Sequence, residues 1–271
     1  MEQKKLIVSA FQMSSKIGDT EANIKKVEEL IKRDITKTDI IVLPEVWTCG
    51  WSPEHFRDTA EKMQESTTIN FLSSIAKQYN CWIIGGSFIT NDNGHYFNTC
   101  PVINRLGKLI CTYSKNHLYS YYGCREGEFV ERGASPVLVD IEGVKTGLTI
   151  CYDIRFPEIY RAYRKVGADL FINCAAWGLQ KPVPWECMTR SRAVENQTFM
   201  VALTQSGYIE NGEWNIGHSR IIDYKGETIT EIKDQKEGAM QTVLDFVPMY
   251  DFREKCTCIK DIKPNYEVQC V

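Results

Sequence analysis

The sequence predicts one continuous α/β domain with mixed sheets. Short runs such as DIIVLPE at 39–45 and ADLFINCAAW at 168–177 are apolar throughout, the pattern of strands covered on both faces. Helical stretches with apolar residues three and four positions apart alternate with them. Turn signals at Asn91-Asp92-Asn93-Gly94 and Arg105-Leu106-Gly107 join β-like segments as hairpins, so the sheets contain antiparallel members.

In chain order, LIVSAFQM at 6–13 reads as a β-branched strand. Asp19 then opens a helix with apolar positions at Ile24, Val27, Leu30 and Ile31. The strand 39–45 follows, and SSIAKQYN at 73–80 ends the helix that leads into CWIIGGSF. HYFNTCPVIN and KLICTYSKNHL form the hairpin region. A strand is expected over VKTGLTICYD at 144–153, then the helix FPEIYRAYRKVG and the strand ADLFINCAAW. The helix carrying WECMTRSRAVENQ leads to FMVALTQSG, and HSRIIDYKGE to a final hairpin. No linker, repeat or low-complexity tract interrupts residues 1–271.

The 271 residues are 43% apolar and 25% charged, enough for a large core. A net charge of -3 sets up no long-range field for nucleic acid or an anionic membrane. No signal-peptide pattern opens the chain and no apolar run reaches the ~20 residues of a membrane span, so a cytoplasmic protein acting on a small molecule is expected. The eleven cysteines are odd in number and irregular in spacing, which argues against a disulfide framework. Cys81, Cys100, Cys111 and Cys174 lie in β-like stretches and read as small buried hydrophobes. Cys256-Thr257-Cys258 hints at a metal, but with only four histidines in the chain no four-ligand set emerges. No metal and no cofactor are expected.

Three segments place a reactive polar residue after an apolar strand, where open α/β sheets put their sites. They are Leu43-Pro44-Glu45, Tyr113-Ser114-Lys115-Asn116-His117-Leu118, and Ile150-Cys151-Tyr152-Asp153-Ile154-Arg155-Phe156-Pro157-Glu158. With these motifs the chain resembles the nitrilase, or carbon-nitrogen hydrolase, family. Gln12 with Gly18-Asp19 and Asn23, Phe97-Asn98-Thr99, Arg190–Asn196 and Gly217-His218-Ser219 extend the likeness over nearly the whole chain. The resemblance implies a four-layer α-β-β-α sandwich of two mixed sheets, a Glu45, Lys115, Cys151 triad, and pairing as a homodimer through the helix after the cysteine and the R-A-V-E-N helix.

The chemistry fits those residue types. A free thiol with a pKa near ~8.5 is mostly protonated at neutral pH and needs activation. The helix that begins near Phe156 is expected to favour the Cys151 thiolate, and Glu45 to act as general base. Lys115 and the Tyr152 N–H would stabilise the oxyanion. The family carries a second glutamate before a glycine, and counting back from Gly133 selects Glu126, with Glu128 and Glu131 as neighbouring candidates. His117 suggests a Cys-His protease, but no protease signature accompanies it, and the resemblance makes it structural. Asp153 and Arg155 are expected to shape the elbow, contact of Arg155 with an anionic substrate being the lesser alternative.

Trp51, Trp177 and Tyr119 are candidate substrate-binding residues along with Tyr152, and Trp47, Tyr121 and Tyr122 are further pocket candidates. Trp177 could equally be a core residue. The motif spellings are similar to the omega-amidase branch and imply a small amide substrate, such as the distal amide of a 2-oxo acid. N-carbamoyl compounds and nitriles are the alternatives, and a non-catalytic assembly module is the alternative of another class. The run 119–124 departs from the acidic segment usual after K-x-H-L in omega-amidases.

Overall fold

The computed structural model describes residues 4–121, 123–209, 212–263, 267 and 269–270. Its first sheet is built from β1 (Lys5–Gln12), β2 (Ile40–Val42), β3 (Trp82–Ile84), β4 (Phe88–Asp92), β5 (His95–Ile103) and β6 (Leu109–Ser114). The second holds β7 (Leu138–Ile141), β8 (Val144–Ile150), β9 (Leu170–Ala175), β10 (Phe199–Thr204), β11 (Ser219–Ile222) and β12 (Thr228–Ile232). The last strand, β13 (Gly238–Asp245), returns to the first sheet, giving the order β13-β1-β2-β3-β5-β4 with β6 on β5. The second sheet runs in order from β12 to β7. Both are mixed, with β1-β2-β3 and β8-β9-β10 parallel and the remaining pairs antiparallel.

Period-2 alternation explains the layers. Leu6, Val8, Ala10, Ile40, Val42 and Ile84 share one cluster with Leu148, Ile150, Ile172 and Val201 of the facing sheet. Their neighbours Phe11, Ile41 and Ile83 pack instead on α1 (Thr20–Asp34) and α2 (Thr67–Tyr79) through Val27, Leu30, Leu72 and Ile75. The second sheet is covered by α3 (Pro157–Lys165) and α4 (Pro182–Asn196) through Ile159, Tyr160, Tyr163, Trp185 and Ala193. The result is the expected four-layer sandwich.

Three boundaries differ from the sequence reading. β2 stops at Val42, because Pro44 has no N–H with which to extend the ladder. β8 stops at Ile150, since Cys151 takes φ 44° and begins a tight turn over Cys151–Arg155. The final hairpin forms only between β11 and β12. β13 crosses to pair with β1 over its whole length, which sends Met240 and Leu244 into the core between the sheets. A helix α5 (Val247–Lys255) that the sequence reading lacked caps the chain after it. No helix among the described residues is long and apolar enough to cross a membrane.

Candidate active site

The three strand ends named above converge. Glu45 follows β2 in a turn held from several sides: Ser87 Oγ accepts the Val46 N–H at 2.9 Å, the Ser87 N–H donates to the Pro44 carbonyl at 3.0 Å, and Gln205 Nε2 donates to the Glu45 carbonyl at 2.6 Å. Gly86, at φ 64°, lets the chain pass this turn, because a Cβ there would lie 2.0 Å from the Pro44 oxygen. Lys115 follows β6 and is fixed by its N–H on the Asn98 carbonyl at 2.9 Å. Its own carbonyl accepts the Gly133 N–H at 2.8 Å, an approach only glycine permits, since a Cβ would stand 2.1 Å from the Ser114 oxygen. The chain between Lys115 and Gly133 thus loops out and back, and carries Glu126 with it.

Cys151 sits in the left-handed region that side chains avoid, at a cost of roughly 1–2 kcal/mol. The buried Asp153 carboxylate holds the turn by accepting the Ile150 N–H at 2.9 Å, the Tyr113 hydroxyl at 2.6 Å and the His117 N–H at 3.0 Å. His117 Nδ1 lies 2.7 Å from the same carboxylate and its ring stacks on Phe156 at 3.7 Å. His117 is therefore part of the scaffold. Arg192 of α4 donates from Nε and Nη2 to the Ile154 carbonyl and ties the turn to the helix behind it.

At the centre Glu45, Lys115 and Glu126 are wholly buried. Lys115 Nζ donates to Glu45 Oε1 at 2.8 Å and to both Glu126 oxygens at 2.9 and 3.0 Å. Asn98 Nδ2 donates to Glu45 at 2.9 Å and to Glu126 at 3.3 Å. The Ala176 N–H donates to Glu45 Oε2 at 2.8 Å, while the Cys151 sulfur lies 3.9 Å from the Ala176 carbonyl, so carboxylate and thiol are held by the two backbone groups of one residue. Of the three neighbouring glutamates, Glu126 grips Lys115, whereas Glu128 pairs with Arg125 and Glu131 with His95 at the surface.

Burial opposes the charge of Lys115, but Glu126 and Glu45 hold its ammonium well above the usual range. Burial lifts Glu45 above the ordinary carboxylate value, against the pull of Lys115. Burial, followed by the nearby Glu45 charge, pushes the Cys151 thiol well up. The thiolate expected from a helix N-terminus is thus not the resting form. Desolvation outweighs any dipole at a short turn, and the resting thiol keeps its proton beside Glu45.

Cys151 opens into a cavity of about 470 Å³ lined by Trp51, Tyr119, Tyr121, Arg155, Trp177 and Lys181, among others. Trp51 covers Lys115, whose Nζ lies 5.0 Å from its ring. Trp177 is both wall and core, with its ring on Trp185 and its Nε1 donating to the Lys181 carbonyl. Tyr152 does not line the cavity with its ring, which packs edge-on against Tyr119 and Phe156. Its N–H, second in the turn, is one of those a helical start leaves without an internal acceptor. Trp47 is a correction: it is fully buried against Phe71 and donates to the Gly85 carbonyl, away from the cavity. Arg155 is another, since it faces the cavity with its guanidinium 5.3 to 5.8 Å from the rings of Trp177, Tyr121 and Tyr152. Tyr122 lies outside the described residues.

Sequence reasoning did not assign Asn98, the Ala176 amide, Lys181 or Glu213 to the site. Asn98 left a signal, a polar side chain buried midway along an apolar strand. Among the described residues no group of three or more His, Cys, Asp or Glu side chains is placed to hold a metal ion.

The family model for carbon-nitrogen hydrolases matches residues 7–254. A 2-oxoglutaramate amidase of Bacillus subtilis is 31% identical over 96% of this chain and 99% of its own length. An omega-amidase of Danio rerio is 31% identical over 92% of each chain. Among solved structures, a carbon-nitrogen hydrolase superfamily protein from Xanthomonas campestris, with an arsenic adduct in its active site, superposes with TM-score 0.90 at 25% identity, over 98% of this chain and 100% of that one.

Proposed function

Since the chain belongs to the carbon-nitrogen hydrolase family and hydrolyses amide C–N bonds, we propose that Cys151 is its nucleophile, Glu45 its general base and Lys115 the cation between them. The observation that carries this reading is the meeting of the Cys151 thiol and the Glu45 carboxylate at the backbone of Ala176, with Lys115 bound to Glu45 at the inner end of the cavity.

Burial raises both Glu45 and Cys151, which makes Glu45 a stronger base than an ordinary carboxylate and leaves the proton on the thiol. Sγ attacks the amide carbon as Glu45 takes the thiol proton, and the Lys115 ammonium and the Tyr152 N–H receive the charge that develops on oxygen. Glu45 returns the proton to the leaving nitrogen, ammonia or an amine departs, and a thioester remains. Glu45 then deprotonates the water that attacks the thioester, releasing the acid and the thiol. Glu126 and Asn98 hold Lys115 and Glu45 in position throughout.

The substrate in this reading is a small amide whose acyl group carries a carboxylate, with the distal amide of a 2-oxo acid as the leading candidate. Two features support it: the names of the Bacillus and Danio relatives, and Arg155, whose buried Nε has no hydrogen-bond partner among the described residues and faces the cavity. Residues 1–271 act as one catalytic domain, placed in the cytoplasm and paired as a homodimer through α3 and α4, at whose ends Val166 and Val194 stand 57% and 45% exposed.

Ammonia release by wild type and Cys151→Ala across simple amides, 2-oxo acid amides, N-carbamoyl compounds and nitriles tests this. Release from an amide by wild type, with a loss of at least about a thousandfold in the variant, is expected. Equal release by both proteins, or none from any amide, would sink it.

A further inference from the structure

We propose that the mouth of the cavity accepts, beside the 2-oxo acid amide, an acyl group bearing charges of both signs, a carboxylate and an ammonium, and that Glu213 is the residue that receives the ammonium; the inference rests on the amidase reading above.

The cavity is graded in burial and in charge. Cys151 and Ala176 are buried at its floor, Arg155 and Lys181 are half-buried in its walls, and Gln180 and Glu213 are exposed at its rim. Its volume falls in the range of about 300–1,000 Å³ typical of sites that enclose a whole small molecule. The acyl group therefore spans from the thiol to the rim and meets these polar groups in turn.

The rim is a built structure. Lys181 Nζ donates to the Tyr119 hydroxyl at 2.8 Å and lies 4.9 Å over the same ring. The Glu213 carbonyl accepts the Ile209 N–H at 2.9 Å, and Tyr208 bridges Trp214. These residues are stitched to the Lys181 segment by the Gly178–Asn215 bridge and by the Leu179 N–H on the Trp214 carbonyl at 2.7 Å. Arg155 and Glu213 act in opposite senses on the one Tyr119 hydroxyl, which burial pushes up to about 12. Both charges therefore lie within electrostatic reach of it.

Glu213 forms no ion pair among the described residues. A substrate carrying only a carboxylate at its far end would meet the two cations but also this free anion. One carrying an α-ammonium beside the carboxylate satisfies both signs, so the rim admits it as well as the 2-oxo acid amide. The chemical class is the ω-amide of an α-amino acid, in which the ammonium turns to Glu213 and the carboxylate to Arg155 and Lys181.

The test compares glutamine with 2-oxoglutaramate, which share the distal amide and differ in the ammonium, in wild type and Glu213→Gln. Wild type is expected to hydrolyse glutamine. The substitution is isosteric and at an exposed position, and it should lower kcat/KM for glutamine about tenfold through KM while raising it for 2-oxoglutaramate, so the ratio of the two moves by more than about tenfold. Parallel changes in both, no change in either, or wild-type hydrolysis of other amides with none of glutamine would overturn the inference and leave the amidase reading intact. Loss of all amide hydrolysis in wild type would instead remove the amidase reading.

Discussion

At the inner end of the cavity Glu45, Lys115 and Glu126 have no accessible surface, whereas at the rim Glu213 is exposed and Arg155 and Lys181 are half-buried. Charges of both signs occur at each end, but they operate under different solvation. In the dry interior each ion depends on its partners, because desolvation is offset only by the other charges and hydrogen bonds. At the rim water and salt screen the same charges, so they add little to stability. On the proposed reading the inner end governs reaction and the rim choice of substrate, so substitutions at the two ends should differ in what they damage.

The largest effect expected is that of Lys115→Ala. It leaves two buried carboxylates facing each other with only Asn98 and backbone amides to hold them, so unfolding free energy should drop by about 3–5 kcal/mol. The lost oxyanion donor should cost at least about a hundred- to a thousandfold in kcat. Denaturant unfolding and steady-state kinetics check both. A stability loss below about 1 kcal/mol, the scale of an exposed pair, would erase the contrast between the two ends.

Glu126→Gln comes next and sharpens the contrast by keeping the shape while removing one charge. Looser placement of Lys115 should reduce kcat/KM about a hundredfold. The pH dependence carries more information. Glu45 works as a base only when deprotonated, so kcat/KM falls as pH drops through its raised value. Glu126 is one of the groups that raise Glu45, so its neutralisation should move the acid limb to lower pH. A limb that stays put or moves up would mean that Glu126 acts on Lys115 alone.

These two ends were not equally legible in the sequence. Lys115 and Cys151 directly follow β6 and β8 and Glu45 lies three residues beyond β2, and their neighbours Pro44, His117 and Asp153 serve the local turns, so residue type and position were specified together. Strands covered on both faces were legible through their continuous apolar runs, as at β2 and β9, while the arrangement of two sheets in four layers came from the family resemblance. The rim was not legible. Lys181 and Glu213 belong to loops whose composition looks like any solvated turn, and they meet only because the Gly178–Asn215 bridge joins segments over 30 positions apart. β13 was misplaced because nothing local tells a strand which of two sheet edges it will join. The raised thiol of Cys151 was not legible either, since its burial and the Glu45 charge beside it arise only in the folded chain.

The smallest effect expected, and the one that tests where the boundary between the ends lies, is Tyr119→Phe. Tyr119 belongs to both: its N–H donates to Glu126 Oε2 at 2.6 Å, while its hydroxyl accepts from Lys181 Nζ at the rim. Phenylalanine keeps the N–H and the ring edge on Trp51 and Tyr152, and removes the hydroxyl alone. Loss of one such hydrogen bond is worth about 0.5–1.5 kcal/mol, so KM should rise roughly two- to tenfold while kcat stays within about twofold. Steady-state kinetics on the preferred amide decides the matter. A fall in kcat comparable to that of Glu126→Gln would mean that the hydroxyl helps order the buried Lys115 network, and the dry end would then extend past Tyr119 to the rim.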